Sequence, residues 1–159
     1  MNFDKKTEDY ALYLPAISAF YTRQLAKYED EVDTMRCPEG FENGLQGLNF
    51  LDEDKGYYYY PYGLYSAGHA QLDLEKTDIH ERMIQKRDRS KTVILGDSGG
   101  FQIAKGVIKL DWEDAIAHDS KAREALCEKM LRWLEYTADW SMTLDFPAFA
   151  AIPPYNKKT

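Results

Sequence analysis

Between Pro15 and Tyr28 the apolar side chains Ile17, Phe20, Tyr21, Leu25 and Tyr28 recur at the spacing of one helical face, and Pro15 suits a first turn, where its missing N–H costs nothing. The spacing predicts a helix over 15–28. Acidic positions then mix with Pro38, Gly40, Gly44, Gly47 and Gly56, so 30–56 reads as an irregular connection. Tyr57 to Tyr60 is an aromatic run of strand propensity closed by Pro61, which cannot donate to a ladder; it reads as a strand end packed on the core. Asp78 and Glu81 have the spacing of a capping box, and Ile79 and Met83 share a face, which predicts a short helix over 79–89 with its basic residues outside.

The stretch from Thr92 carries more information. Thr92, Val93, Ile94 and Leu95 form a β-branched apolar run of the kind found in buried parallel strands, and it stops abruptly at Gly96-Asp97-Ser98-Gly99-Gly100. Further on, Leu126, Met130, Trp133, Leu134 and Thr137 line one face of a helix expected from Ser120 to Ala138. Ser141 to Leu144 then reads as a short strand ending at Asp145. The order strand, polar loop, helix, strand, acid indicates an α/β protein with a parallel sheet. Such folds place their chemistry at the carboxyl ends of successive strands, so Asp97 and Asp145 are expected to face one pocket. No internal repeat or low-complexity segment interrupts the pattern.

Composition narrows the function. A chain of 159 residues with 44% hydrophobic positions can build one ordinary domain. Its formal charge of −7 argues against a general nucleic-acid coat, which needs a surplus of Lys and Arg on the contact face. The run Lys86, Arg87, Arg89 and Lys91 reads as a solvated face and is also the best candidate for a phosphate contact. Cys37 and Cys127 have no CxxC spacing, so neither a disulfide framework nor a zinc knuckle is indicated and a reducing cytoplasm is the expected compartment. No window approaches the roughly eighteen apolar residues of a membrane span, and no export signal is visible, so a soluble protein without a membrane partner is expected.

The string GDSGG at 96–100 admits two sharp readings. One is the nucleophile loop of chymotrypsin-like proteases, with Ser98 as nucleophile and His69, in SAGHA, as base. It fails on context: that family has an all-β double barrel, a proline where this chain has Phe101, and a much longer interval from histidine to serine than 69 to 98.

The second reading lengthens the string to Ile94-Leu95-Gly96-Asp97-Ser98-Gly99-Gly100-Phe101-Gln102, which resembles the ILTDSGGFQ signature of the tRNA-guanine transglycosylase superfamily over the six consecutive residues DSGGFQ. Met142-Thr143-Leu144-Asp145 is similar to that family's next strand-end motif, and Pro61-Tyr62-Gly63 through Ser66-Ala67-Gly68-His69 lies where the family carries a proline- and glycine-rich early strand. The resemblance implies a (β/α)8 barrel of the TIM type, of which this chain would form the N-terminal portion. It implies that Asp97 is the general acid or base for the exchanging base, that Phe101 stacks on the purine, and that the backbone around Ser98, Gly99 and Gly100 lines the pocket. Asp145 would accept hydrogen bonds from N1 and N2 of a guanine-like base. The chemistry fits these side chains independently, because a carboxylate accepts two parallel N–H bonds from guanine's Watson–Crick edge and an aromatic platform contributes about 1 to 3 kcal/mol per stacked base.

Departures set the limits of the likeness. The family's nucleophilic aspartate, which attacks the anomeric carbon, lies on a later barrel strand and has no match here. The family zinc site of three cysteines and a histidine is missing as well, so no cofactor is expected in this chain. The interval from Gln102 to Trp112 lacks the β-insertion of tRNA-specific members, a divergence similar to the phage-encoded branch that inserts deazaguanine derivatives into DNA. The expected organisation is an N-terminal helix and connection over 1–56, then the first β/α units of an incomplete barrel over 57–159. The expected function is replacement of guanine, in tRNA or DNA, by a 7-deazaguanine derivative, with a second polypeptide or a missing C-terminal half completing the site. A non-catalytic subunit that binds nucleic acid or a catalytic partner, and a hydrolase using Ser98, are the competing readings.

Overall fold

The computed structural model describes residues 11–28, 37–110 and 120–144. Their architecture is mixed α/β: a three-stranded parallel sheet in the order β1 (Tyr62–Ser66), β2 (Val93–Asp97), β3 (Trp140–Ser141), with helices packed around it. The register runs from Tyr62 opposite Val93 to Ser66 opposite Asp97, and β3 adds Trp140 beside Leu95. The strand expected at 92–95 is therefore found at Val93–Asp97, starting one residue later and taking in Gly96 and Asp97, which the sequence reading assigned to the loop. Its faces are unequal, for Thr92, Ile94 and Gly96 are buried while Val93, Leu95 and Asp97 are half-buried.

The long helix α5 follows expectation closely. It spans Lys121–Thr137, and the side chain of Ser120 caps it by accepting from the Arg123 N–H. Met130, Trp133, Leu134 and Thr137 form its buried stripe. Gly96 lets this helix lie directly on the sheet: a Cβ there would come within 2.6 Å of Leu134 Cδ2 and 2.8 Å of Ala138 Cβ. The core gathers around Trp133, Tyr65, Ile84, Ile94 and Ile103, all fully buried.

The strand expected at 141–144 is instead the two-residue β3 at Trp140–Ser141, with 142–144 outside it, and three further expectations about these elements need correction. Helix α1 spans Ala19–Lys27 and begins only after Ser18, whose side chain accepts from the Tyr21 N–H. Pro15 lies outside it, and the Pro15 carbonyl accepts from Leu64 N–H while Ile17 N–H donates to the Leu64 carbonyl, so this segment runs as an edge beside β1. Phe20, assigned to the inner face, is 73% exposed. The second concerns Tyr57–Tyr60, which precedes the strand. Tyr57 packs against Gly47 and its hydroxyl donates to the Gly44 carbonyl, and pairing starts only at Pro61, whose carbonyl accepts from Val93 N–H. The third is the helix at 79–89. Asp73 caps α2 (Leu74–His80) instead of Asp78, the chain breaks at Glu81, and α3 (Arg82–Gln85) follows. Ile79 is 58% exposed and Met83 buried, so they do not share an inner face. Over the described part of 30–56 the irregular reading holds, with turns and one 3-10 turn at Gly44–Leu48.

Among the described residues no helix is long and apolar enough to cross a membrane.

Candidate active site at the carboxyl end of the sheet

Asp97 is the last residue of β2 and Ser66 the last of β1, and parallel register sets them side by side. Ser66 Oγ donates to Asp97 Oδ2 at 2.7 Å, which orients a half-buried carboxylate, and Ala67 N–H donates to the Asp97 carbonyl at 2.9 Å. Polar residues at the ends of neighbouring parallel strands are the arrangement expected of an α/β enzyme.

The chain then turns sharply. Ser98 is buried, and Gly99 takes φ +78°, the left-handed region that favours glycine. A Cβ at Gly99 would lie 2.9 Å from Met130 Cε and 3.0 Å from Ala67 Cβ, so space as well as conformation demands glycine. Gly100, itself buried, opens the short helix α4 (Gly100–Ala104). Phe101, on the first turn of that helix, is 55% exposed, with the Lys105 ammonium 5.3 Å from its ring centroid. It is a surface aromatic, not a core one. Gln102 packs its Cβ and Cγ against Gly68, which joins the motif to the turn after β1.

That turn carries His69, which sequence reasoning weighed only as a protease base. Its ring stacks on Tyr65 at 4.7 Å, and Tyr65 stacks in turn on Trp133 at 5.4 Å. Burial pushes the imidazole down to about 4, the Arg23 charge adds to this, and Asp97 opposes it. His69 is consequently neutral at pH 7 and a weak base, which disfavours a Ser98–His69 hydrolase; the parallel sheet disfavours that fold as well. In the sequence Ser66 reads only as part of the early proline- and glycine-rich strand, and its register with Asp97 reveals its partner.

Asp145 lies outside the described residues, as does Trp112. β3 runs parallel to β2, and Met142 N–H donates to the Gly96 carbonyl.

The basic run is largely committed elsewhere. Arg87 Nη2 donates to Asp139 Oδ2 at 2.8 Å and Arg89 Nε to Asp139 Oδ1 at 2.9 Å, while Lys91 Nζ pairs with Glu53 Oε2 at 2.5 Å. Only 1% of the Arg87 side chain is exposed, so it is a buried structural cation, contrary to the solvated face read from the sequence. A cavity of about 320 Å³ lies beside this run, lined among others by Tyr59, Arg82, Lys86, Asp88 and Lys91. Tyr59 precedes β1, and Asp88 and Lys91 precede β2, which puts the cavity at the amino end of the sheet, away from Asp97. None of residues 97–101 lines it.

No group of three or more His, Cys, Asp or Glu among the described residues is placed to hold a metal, and two cysteines cannot supply a three-cysteine zinc set. Comparison of the chain with protein-family models, with curated proteins and with solved structures finds no match.

Proposed function

We propose that this chain is the N-terminal portion of a guanine-exchanging transglycosylase of (β/α)8 architecture, acting on tRNA or DNA, and that it takes a 7-deazaguanine base in exchange. One observation carries the reading: the DSGGFQ string spans the turn from the central strand of a parallel sheet into a helix, with Asp97 as the strand's last residue and oriented by Ser66. A buried glycine turn, an exposed aromatic and a half-buried carboxylate then occupy one corner of the molecule.

In this reading Asp97 moves the proton on the exchanging base. Phe101 stacks on the purine, the Ser98–Gly100 backbone borders the slot, and Asp145 accepts from N1 and N2 of the base. The flipped-out base needs both the platform and the hydrogen-bonding edge. No residue of this sequence matches the nucleophilic aspartate, so a second polypeptide segment supplies it, and with it most phosphate contacts of the nucleic acid. The chain alone is then inactive in exchange but competent to hold the base.

Titration of the purified chain with guanine and with 7-deazaguanine tests this directly. Saturable binding is expected, weakened about 5- to 150-fold by Phe101→Ala, the equivalent of about 1 to 3 kcal/mol of stacking. Once exchange is reconstituted with the completing polypeptide, Asp97→Asn should slow it by roughly 10² to 10⁴, and Ser98→Ala far less. Failure of either base to bind, or exchange untouched by Asp97→Asn, overturns the assignment.

A further inference from the structure

Glu81 sits where two short helices meet. Its N–H donates to the Thr77 carbonyl to close α2, and its own carbonyl accepts from Ile84 and Gln85 N–H to open α3, with φ −128° and ψ 36° at the joint. The residue is fully buried, and neither carboxyl oxygen has a hydrogen-bond partner among the described residues. An ionised carboxylate is an acceptor only and demands donors, so burial without them opposes the charged form. A protonated acid tolerates the same surroundings at far lower cost.

The neighbours supply little compensation. From α1 the charge of Arg23 reaches Glu81 and favours ionisation. The 3-10 turn after β1, which packs against α2, carries His69, which is neutral near pH 7. The buried stripe of α5 consists of Met130, Trp133, Leu134 and Thr137, none of them charged. On either side of the joint Asp78 already accepts from the Tyr136 hydroxyl and Arg87 is held by Asp139, and Gln85 has a buried Nε2 without a partner among the described residues.

We infer that Glu81 is a protonation-controlled joint: loss of its proton draws water into the layer between α1, α2 and α3 and loosens the break between α2 and α3, and uptake of the proton closes it. Burial raises the Glu81 carboxyl to about 7, with Arg23 pulling the other way. The folded chain thus holds this proton more tightly than the unfolded chain does. Its contribution to stability is complete below the unfolded value of 4.5 and is lost as pH rises through about 7. The inference stands apart from the transglycosylase reading, since it concerns an interior layer and no base or nucleic acid.

Hydrogen exchange on the purified chain tests it. The protection factors of the Glu81, Ile84 and Gln85 amides, corrected for intrinsic exchange, should fall about tenfold between pH 6 and pH 8, and Glu81→Gln should abolish that fall. A flat profile in the wild-type chain, or an equal fall in the Gln variant, overturns the proposal. Should the variant not fold, a carbon-13 titration of the wild-type Glu81 carboxyl decides the matter. A midpoint near neutrality supports the joint, and one below about 5, close to an ordinary glutamate, overturns it.

Discussion

Asp139 is the most consequential carboxylate outside the candidate site. It follows α5 by two residues, accepts from Arg87 Nη2 at 2.8 Å, Arg89 Nε at 2.9 Å and Ile94 N–H at 2.8 Å, and so ties the helix end to β2 and to the segment before it. Arg89 also donates to the Ala138 carbonyl. In Asp139→Asn the amide oxygen can still accept from both Ile94 and Arg87, which share Oδ2, but the charge that compensates Arg87, with 1% of its side chain exposed, is gone, and its other acceptor among the described residues is the Ile84 carbonyl. Breaking a buried pair from one side in this way costs about 3 to 5 kcal/mol. Domains of this size are stable by about 5 to 15 kcal/mol, so about a fifth or more of the total is at stake. Arg87→Met should cost distinctly less, because Asp139 retains Arg89 and Ile94. Burial works to raise the Asp139 carboxyl, but the Ile94 N–H and the two arginines outweigh it and hold the group below its ordinary value. Its contribution is therefore present above the unfolded value of 3.8 and is lost as pH falls through the lower folded one. Urea unfolding followed by tryptophan fluorescence at pH 7 and again at acid pH measures all of this. A loss below about 1 kcal/mol in Asp139→Asn, or a difference from wild type that does not shrink in acid, refutes the reasoning.

Three other outcomes are expected. Gly99→Ala meets both the positive φ and the contacts with Met130 and Ala67, and should lower stability by at least about 1 to 2 kcal/mol in thermal melts. Trp133→Ala should cost about 3 to 5 kcal/mol, while Trp133→Phe forfeits mainly the 3.1 Å bond to Thr77 Oγ1 and should cost about 1 kcal/mol in chemical denaturation. His69 is held neutral with its imidazole near 4, so its contribution is present above the unfolded value of 6.5 and is lost as pH falls through about 4; melting temperatures of His69→Gln should fall less than wild type over that interval.

What the linear pattern revealed depended on how local each cause is. Strand β2 and helix α5 were legible because a β-branched run and a 3.6-residue stripe are properties of the segments themselves, and Ser120 caps the helix from its adjacent position. The joint at Glu81 was not, since an acid three residues after Asp78 looks like a capping partner until tertiary packing buries it. The tyrosine run misled for a related reason: Tyr57 serves a loop contact at Gly44 and Gly47, and propensity carries no record of that. At the candidate site, DSGGFQ could be read directly, whereas Ser66 there and Asp139 elsewhere act on partners far along the chain. The Ser66–Asp97 contact spans 31 positions and the Asp139–Ile94 contact 45, and both arise from sheet register.

The intimate seating of α5 on β2 makes volume at position 96 common property of two elements. Leu134 and Ala138 occupy the space that a side chain at Gly96 would claim, at 2.6 and 2.8 Å. A methyl group added to the strand must be subtracted from the helix, so Gly96→Ala is tolerated best when Leu134 is shortened and Ala138 becomes glycine. Because Asp97 is the next residue along, any uncompensated trade at this contact reaches the carboxylate through a single peptide unit.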